Sequence, residues 1–373
     1  MMPWIQSGAA VIFTFGLVIF LHEFGHFILC RWFGVRVERF AFGFGPELLG
    51  FTKGETRYSI CAFPLGGFVK PAGDNIEDCT GDPNEYFAKP WTQRLLIVAA
   101  GPSMNYVLAF VLFFLVVSFR GIPEPSKQAV IGDIAAGYPA EIAGLKVGDR
   151  VFKADGQNVA SWVELSERIR RNPEKPLQLA FEREGLRMQA TVVPRLDAAT
   201  GHGLIGIRAK VEYQPAGLAR AGREAAHQCW LWTAYTVKTL AEKIYKRERP
   251  DLAGPVGIVQ MVHRAAHSDL EDFIFLIGLL SVAVGFFNIL PVPLLDGGHA
   301  AMYVWEGLSR RKLTTQAMAT VNSIGIVFLL SLLLFATYND VTRIRAERRE
   351  RRQRQEALQS APATVAPAPV PGP

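Results

Sequence analysis

Four stretches of the chain are almost free of charge: residues 7–29, 95–118, 273–294 and 317–337. Each is close to the ~20 residues a helix needs to cross ~30 Å of hydrocarbon. The second contains Gly-Pro and the third Pro-x-Pro. Membrane helices accept such breaks where the freed backbone groups face protein or enclosed water. The pattern predicts a polytopic α-helical membrane protein with about four transmembrane helices. The opening MMPWIQSG has no positive charge, and no small-x-small cleavage site follows the apolar run. Residues 7–29 are therefore expected to be a retained span and not a cleavable signal.

Between the first two spans the pattern is mixed. RYSICAFPLGGFVK (57–70) alternates and reaches Gly66-Gly67, which predicts a membrane-associated β-hairpin turning at that pair. Residues 128–208 predict one inserted mixed α/β domain, with strands at 129–134, 151–154, 177–182 and 188–193 and a helix at 161–171. Residues 214–247 predict an amphipathic helix with Trp230, Leu231 and Tyr235 on its apolar side. The Ala/Pro-rich end after 355 is expected to be disordered. The expected divisions are 1–118, 119–210, 211–272, 273–340 and 341–373.

Composition adds little beyond this. The net charge is +6, but seven arginines fall in RIRAERRERRQR (343–354) with no folded basic module around them. That favours a juxtamembrane arm, and no nucleic acid is expected as a partner. Cys30, Cys61, Cys79 and Cys229 show no paired spacing, so neither a disulfide framework nor a zinc knuckle is implied. Short loops rich in Lys and Arg, 30–94 and 298–316, point to the cytoplasm. This places residues 120–272 outside, together with the basic tail, against the same rule.

The chemistry lies where polar residues interrupt the first span: HEFGH, residues 22–26. On a helix His22 and His26 share a face one turn apart, so both can reach one Zn²⁺ with Glu23 beside them. An ionisable group at that depth is costly, which makes a function its default explanation. Zinc needs a third protein ligand. Asp296, in NILPVPLLDGGH (288–299), is favoured because Pro291, Pro293, Gly297 and Gly298 would break the helix and turn side chains inward. His299 is its rival. Asp269, His263 and His267 lie outside the span.

HEFGH, AGPSMN (100–105), GPVGI (254–258) and NILPVPLLDGGH occur in an order that resembles the site-2 protease family of intramembrane zinc metalloproteases, and most closely its bacterial regulator-of-sigma-E protease type. The resemblance implies that His22, His26 and Asp296 bind one zinc ion per chain and that Glu23 is catalytic. It implies that Asn288, Pro291 and Pro293 belong to a substrate-binding, helix-breaking segment. Residues 57–70 resemble the family's membrane-reentrant hairpin. GYPAEIAGLKVGDRVFKADGQNVASWVEL (137–165) resembles a PDZ domain, single here where the best-known enterobacterial member has two. The implied activity is cleavage within transmembrane segments of single-span proteins, anti-sigma factors or signal-peptide remnants, after a first cut by another protease. The implied location is the bacterial inner membrane, with the PDZ domain periplasmic, the active site towards the cytoplasm, and peptide or protein C-termini as possible PDZ ligands. The alternatives are a non-catalytic PDZ membrane adaptor and a metal transporter. Against the transporter, the chain shows no internal repeat.

Overall fold

The computed structural model describes residues 3–197, 200–246 and 254–360. In chain order the elements are α1 (Pro3–Trp32), β1 (Val37–Lys53), β2 (Thr56–Pro71) and α2 (Trp91–Arg120). Then follow β3 (Ile122–Pro125), β4 (Ile131–Ile134), α3 (Pro139–Ile142), β5 (Arg150–Ala154), β6 (Gln157–Asn158), α4 (Trp162–Arg171), β7 (Leu177–Arg183) and β8 (Leu186–Val192). The short strands β9 (Arg195–Leu196), β10 (Gly203–Leu204), β11 (Ile207–Ala209) and β12 (Val211–Gln214) complete this region. The chain ends with α5 (Leu218–Tyr245), α6 (Pro255–Ala266), α7 (Leu270–Ile289), α8 (Asp296–Ser309) and α9 (Thr315–Ser360). Two compact units result, one of residues 1–116 with 222–373 and one of residues 117–221.

Among the described residues four helical segments are long and apolar enough to cross a membrane: Ile5–Trp32, Trp91–Arg120, Leu270–Ile289 and Thr315–Arg345. The third stops at Ile289, short of the expected residue 294. A residue before proline is driven out of the helical region, and Leu290, ahead of Pro291, is extended at φ −62°, ψ 142°. Leu294 then takes a left-handed φ of +72°, and the Leu295 N–H closes a turn on the Val292 carbonyl. A Cβ on Gly297 would lie 2.1 Å from the Leu290 carbonyl oxygen, and one on Gly298 2.3 Å from that of Val292. Only glycine permits so tight a return. It makes Asp296 the first residue of α8.

Small residues bring the membrane helices together. A Cβ on Gly278 would meet the Phe113 ring at 2.7 Å, and one on Gly285 would meet the Pro102 carbonyl at 3.1 Å. This is the close backbone approach that drives helix association in lipid. Val18, Leu108 and Ile277 fill the contact between α1, α2 and α7. Towards the end of the apolar part of α9 the buried Asp340 carboxylate accepts the N–H groups of Gly254 and Gly257. The GPVGI segment thus opens α6 against α9.

The ribbon turns at more than one place. β1 and β2 pair from Val37↔Pro71 to Lys53↔Thr56, with Gly54-Glu55 as the turn and Gly54 at φ +62°. Residues 39–42 pair with 57–60 on one side and, running the opposite way, with 67–70 on the other, so the chain also reverses between Ile60 and Gly67. The two arms of 57–70 flank one strand and do not pair with each other. Phe44, Leu49, Phe51, Ile60 and Phe63 are exposed on this ribbon.

On α5 Trp230, Leu231 and Tyr235 are exposed, while Ala225 with Cys229 and Trp232 packs on Ala109, Phe113 and Val282. The small side chain of Ala225 admits the neighbouring helices, with Trp232 packed beside it, whereas Trp230 and Tyr235 stand exposed. The arginine-rich stretch continues α9 as helix to Ser360, since Ala, Arg, Glu and Gln are good helix formers. That takes helix past residue 355, where disorder was expected. Residues 361–373 lie outside the described residues.

The inserted unit is built on the antiparallel sheet β6-β5-β7-β8, with β11 paired to β4, β10 to β9 and β12 to β3. Its core is Ile131, Val151, Leu165, Leu177, Leu179 and Phe181. The Ser161 side chain caps α4 by accepting the Glu164 N–H, and Glu164 returns a bond to the Ala160 N–H. That exchange closes the helix start, and Leu165 and Ile169 then face the core one turn apart.

Candidate metal centre

α1 carries His22, Glu23 and His26 six to ten residues before its end at Trp32. At 1.5 Å per residue this is roughly 9–15 Å from the end that leads into the basic 30–94 loop. The two imidazoles lie over α2 at Gly101. A Cβ there would stand 2.3 Å from His26 Nε2 and 2.9 Å from His22 Cε1. One turn of α1 on, Gly25 lies against the Ala100 carbonyl, which a Cβ would meet at 2.3 Å. Two glycines therefore let α1 and α2 approach closely enough for histidines to fit between them.

The turn after α7 brings Asp296 to the same point. His22 Nε2 is 3.0 Å from Asp296 Oδ2, His26 Nε2 is 3.6 Å from the same oxygen, and the two Nε2 atoms are 3.3 Å apart. Among the described residues this trio is the group of His, Cys, Asp or Glu side chains placed to hold one metal ion. His299 lines the same cavity but does not join the trio. His263 sits on α6, with His267 and Asp269 just beyond it.

The donor set fits zinc. Tetrahedral Zn²⁺ with bonds of about 2.0–2.1 Å holds its ligand atoms roughly 3.3–3.4 Å apart, and the three separations here bracket that value. Asp296 Oδ2 is buried with the two Nε2 atoms as its near neighbours, so its lone pairs converge with the imidazoles on one point. His26 Nδ1 lies 2.8 Å from the Ile97 carbonyl. A carbonyl only accepts, so Nδ1 carries the proton and the Nε2 lone pair is free. Pro102 has no N–H to bond the adjacent Val98 carbonyl, so α2 is opened at this level.

Glu23 is fixed from the other side. Its Oε2 accepts the Val69 N–H of β2 at 3.2 Å. The ribbon thus reaches the carboxylate beside the two histidines. A cavity of about 580 Å³ opens on the group, lined by His22, Glu23, His26, Asn288, Asp296 and His299 among others. Of the expected substrate-binding residues, Asn288 lines this cavity. Pro291 and Pro293 lie in the turn between α7 and α8, and Pro293 packs at Gly325 of α9. Sequence reasoning did not single out Gly25, Gly101, Asn105 or Val69. The AGPSMN motif was the one signal for Gly101 and Asn105, and it gave no role to either.

Comparison with known proteins agrees with this chemistry. The family model described as Peptidase family M50 matches residues 10–332. The "Putative zinc metalloprotease CA_C1796" of Clostridium acetobutylicum is 35% identical, covering 88% of this chain and 96% of that one. The zinc metalloprotease RasP of Geobacillus kaustophilus is 28% identical, covering 92% and 99%. Among solved structures, the PDZ domain of an SdrC-like protein from Listeria monocytogenes is 19% identical, with a TM-score of 0.21, and covers 24% of this chain and 93% of that one. That last likeness is too slight to assign the inserted unit. The chain belongs to peptidase family M50 and is a multi-pass membrane metalloendopeptidase with zinc as its cofactor.

Proposed function

We propose that this protease cuts peptide bonds within the transmembrane segments of single-span membrane proteins, with His22, His26 and Asp296 as the ligands of one zinc ion and Glu23 as general base and acid. The observation that carries the reading is the convergence of three metal-binding atoms beside a carboxylate, with His22, Glu23 and His26 on a helix long enough to span lipid and Asp296 brought in by the turn that follows another. Bound zinc would supply a water of lowered pKa and polarise the scissile carbonyl. Glu23, tethered at Val69, takes a proton from the attacking water and returns it to the leaving amine. The cavity admits the water that lipid excludes. Asn288, at its wall, offers an amide to the substrate backbone, and the Pro291 and Pro293 turn keeps α7 from filling the space. A substrate helix hides its carbonyls in its own hydrogen bonds and must unwind. β2 runs past Glu23 and gives an extended segment a strand to join.

The basic loops 30–94 and 298–316 support an orientation with the metal end of α1 on the cytoplasmic side of a bacterial inner membrane and the inserted unit in the periplasm. We assign that unit as a PDZ domain. Its groove of about 310 Å³ between α4 and residues 203–209, lined by Trp162, Ser166, Ile169 and Ile207, suits an extended peptide or C-terminus. The substrate class is anti-sigma factors or signal-peptide remnants, cut after another protease has removed the outer domain.

The test is cleavage of one single-span protein with and without its outer domain, by purified protein in detergent and mapped by mass spectrometry. A cut inside the apolar segment, faster for the trimmed form, is the expected result. Cuts confined to soluble segments would sink the intramembrane reading, and equal rates would sink the gating by a first cut.

A further inference from the structure

We infer that Asn105, on α2, is the positioning residue that sets the tautomer of His22, by turning its side-chain carbonyl oxygen to the His22 Nδ1–H. The inference rests on the proposed role of His22 as a zinc ligand. Asn105 is fully buried. Its amide nitrogen Nδ2 stands 3.1 Å from His22 Nδ1, and its oxygen Oδ1 is buried with no hydrogen-bond partner among the described residues.

That arrangement cannot serve a metal. If the amide donates to Nδ1, the neutral ring carries its proton on Nε2, the atom aimed at Asp296 Oδ2 and His26 Nε2. No lone pair then remains there for zinc. The two ends of an amide are nearly isosteric, and a half turn about the terminal bond exchanges them. Oδ1 then accepts from Nδ1–H, and the Nε2 lone pair points to the place where the other two donors converge. His26 already has this pattern through the Ile97 carbonyl. The half turn gives both histidines the same tautomer and relieves the orphaned Oδ1.

The backbone around Asn105 holds it at this level. Ser281 of α7 donates its hydroxyl to the Asn105 main-chain carbonyl at 2.8 Å, and Gly285 leaves room for the Asn105 Cβ at 3.2 Å from where its own would be. The amide is left with rotation as its freedom. Groups that orient a metal-binding histidine from behind are worth roughly 10–100-fold in metal affinity.

The experiment measures zinc affinity by chelator competition on full-length protein in detergent, for wild type, Asn105→Leu, Asn105→Asp and His22→Ala. Asn105→Leu removes the acceptor at nearly constant volume and should weaken zinc roughly 10–100-fold. Asn105→Asp keeps an acceptor and should hold zinc about as tightly as wild type, with cleavage restored in step. Wild-type affinity in Asn105→Leu would overturn the inference. So would a loss in Asn105→Asp as large as that in Asn105→Leu, because an ionised carboxylate accepts and does not donate. If Asn105→Leu does not fold, a tenfold or greater loss in folded Asn105→Asp still overturns it. Unchanged affinity in His22→Ala would remove the ligand assignment itself, whereas failure confined to the Asn105 variants removes only the positioning role.

Discussion

Gly101→Ala adds one carbon where the two imidazoles lie on α2. The new Cβ would stand 2.3 Å from His26 Nε2 and 2.5 Å from its Cε1. Ordinary contacts are about 3.5–4.0 Å, so the ring must retreat by about 1.2 Å. A zinc site tolerates departures of about 0.2 Å in its bonds. Nor can α1 and α2 move apart without cost. Gly25 already sits on the Ala100 carbonyl, and separating the helices would carry His22 and His26 away from Asp296. A misplacement of about 1 Å costs on the order of 100-fold in rate, or about 2.7 kcal/mol. Alanine is the better helix former by about 1 kcal/mol, so the helix itself should persist. Purified Gly101→Ala should therefore be folded by circular dichroism, lose zinc to a mild chelator and cleave at least 100-fold more slowly. Gly222→Ala is the control, because a Cβ there meets nothing within 4 Å. If Gly101→Ala kept wild-type zinc content and activity, the close seating of the histidines on Gly101 would be wrong.

Other perturbations follow from the same structure. Glu306→Ala should strand Arg94, whose Nη2 lies 2.6 Å from Glu306 Oε1 at 4% side-chain exposure. The loss should be about 3 kcal/mol, seen as a lower melting midpoint in detergent with weaker zinc retention, because α8 carries Asp296; an unchanged midpoint would mean that the pair does not hold α8. In the inserted unit, Arg183→Leu leaves the fully buried Asp149 carboxylate without the guanidinium that meets it at 2.7 and 2.8 Å. The expected cost is about 2–3 kcal/mol, read as faster limited proteolysis between residues 117 and 221 of the intact protein, and wild-type resistance would refute it. Stripping zinc with a strong chelator should abolish cleavage, and added zinc should restore it; cleavage that survives a demonstrably metal-free preparation would refute the metal-dependent reading.

The spans and the histidine pair were legible because both break a rule of composition. Lipid-facing helices exclude charge, so HEFGH stands out in any apolar run. Asp296 was legible through the prolines and glycines around it, although local reasoning left His299 as a rival and the three-dimensional turn separates them. The end of α7 was misplaced because hydropathy runs on through Leu290–Leu294 while Pro291 forbids helix there. The reversal near Gly66-Gly67 was legible as a turn signal, whereas the turn at Gly54-Glu55 and the strand 39–42 that lies between the two arms were not. The apolar aromatics of α5 were legible, but not that Ala225 would mark the face packed on α2 and α7, because helices in close contact select small residues. Gly101, Gly25 and Asn105 could not be given roles from sequence. Their meaning depends on how closely α1 and α2 approach, a distance that no single helix encodes.

The most direct test of the account compares wild type with Glu23→Gln, purified in detergent, for bound zinc and for cleavage of a single-span protein lacking its outer domain. Both should bind zinc, and the variant should cut at least 100-fold more slowly, the share that a positioned general base contributes. Equal cleavage by the two proteins would contradict the role given to Glu23 and the centre built around it.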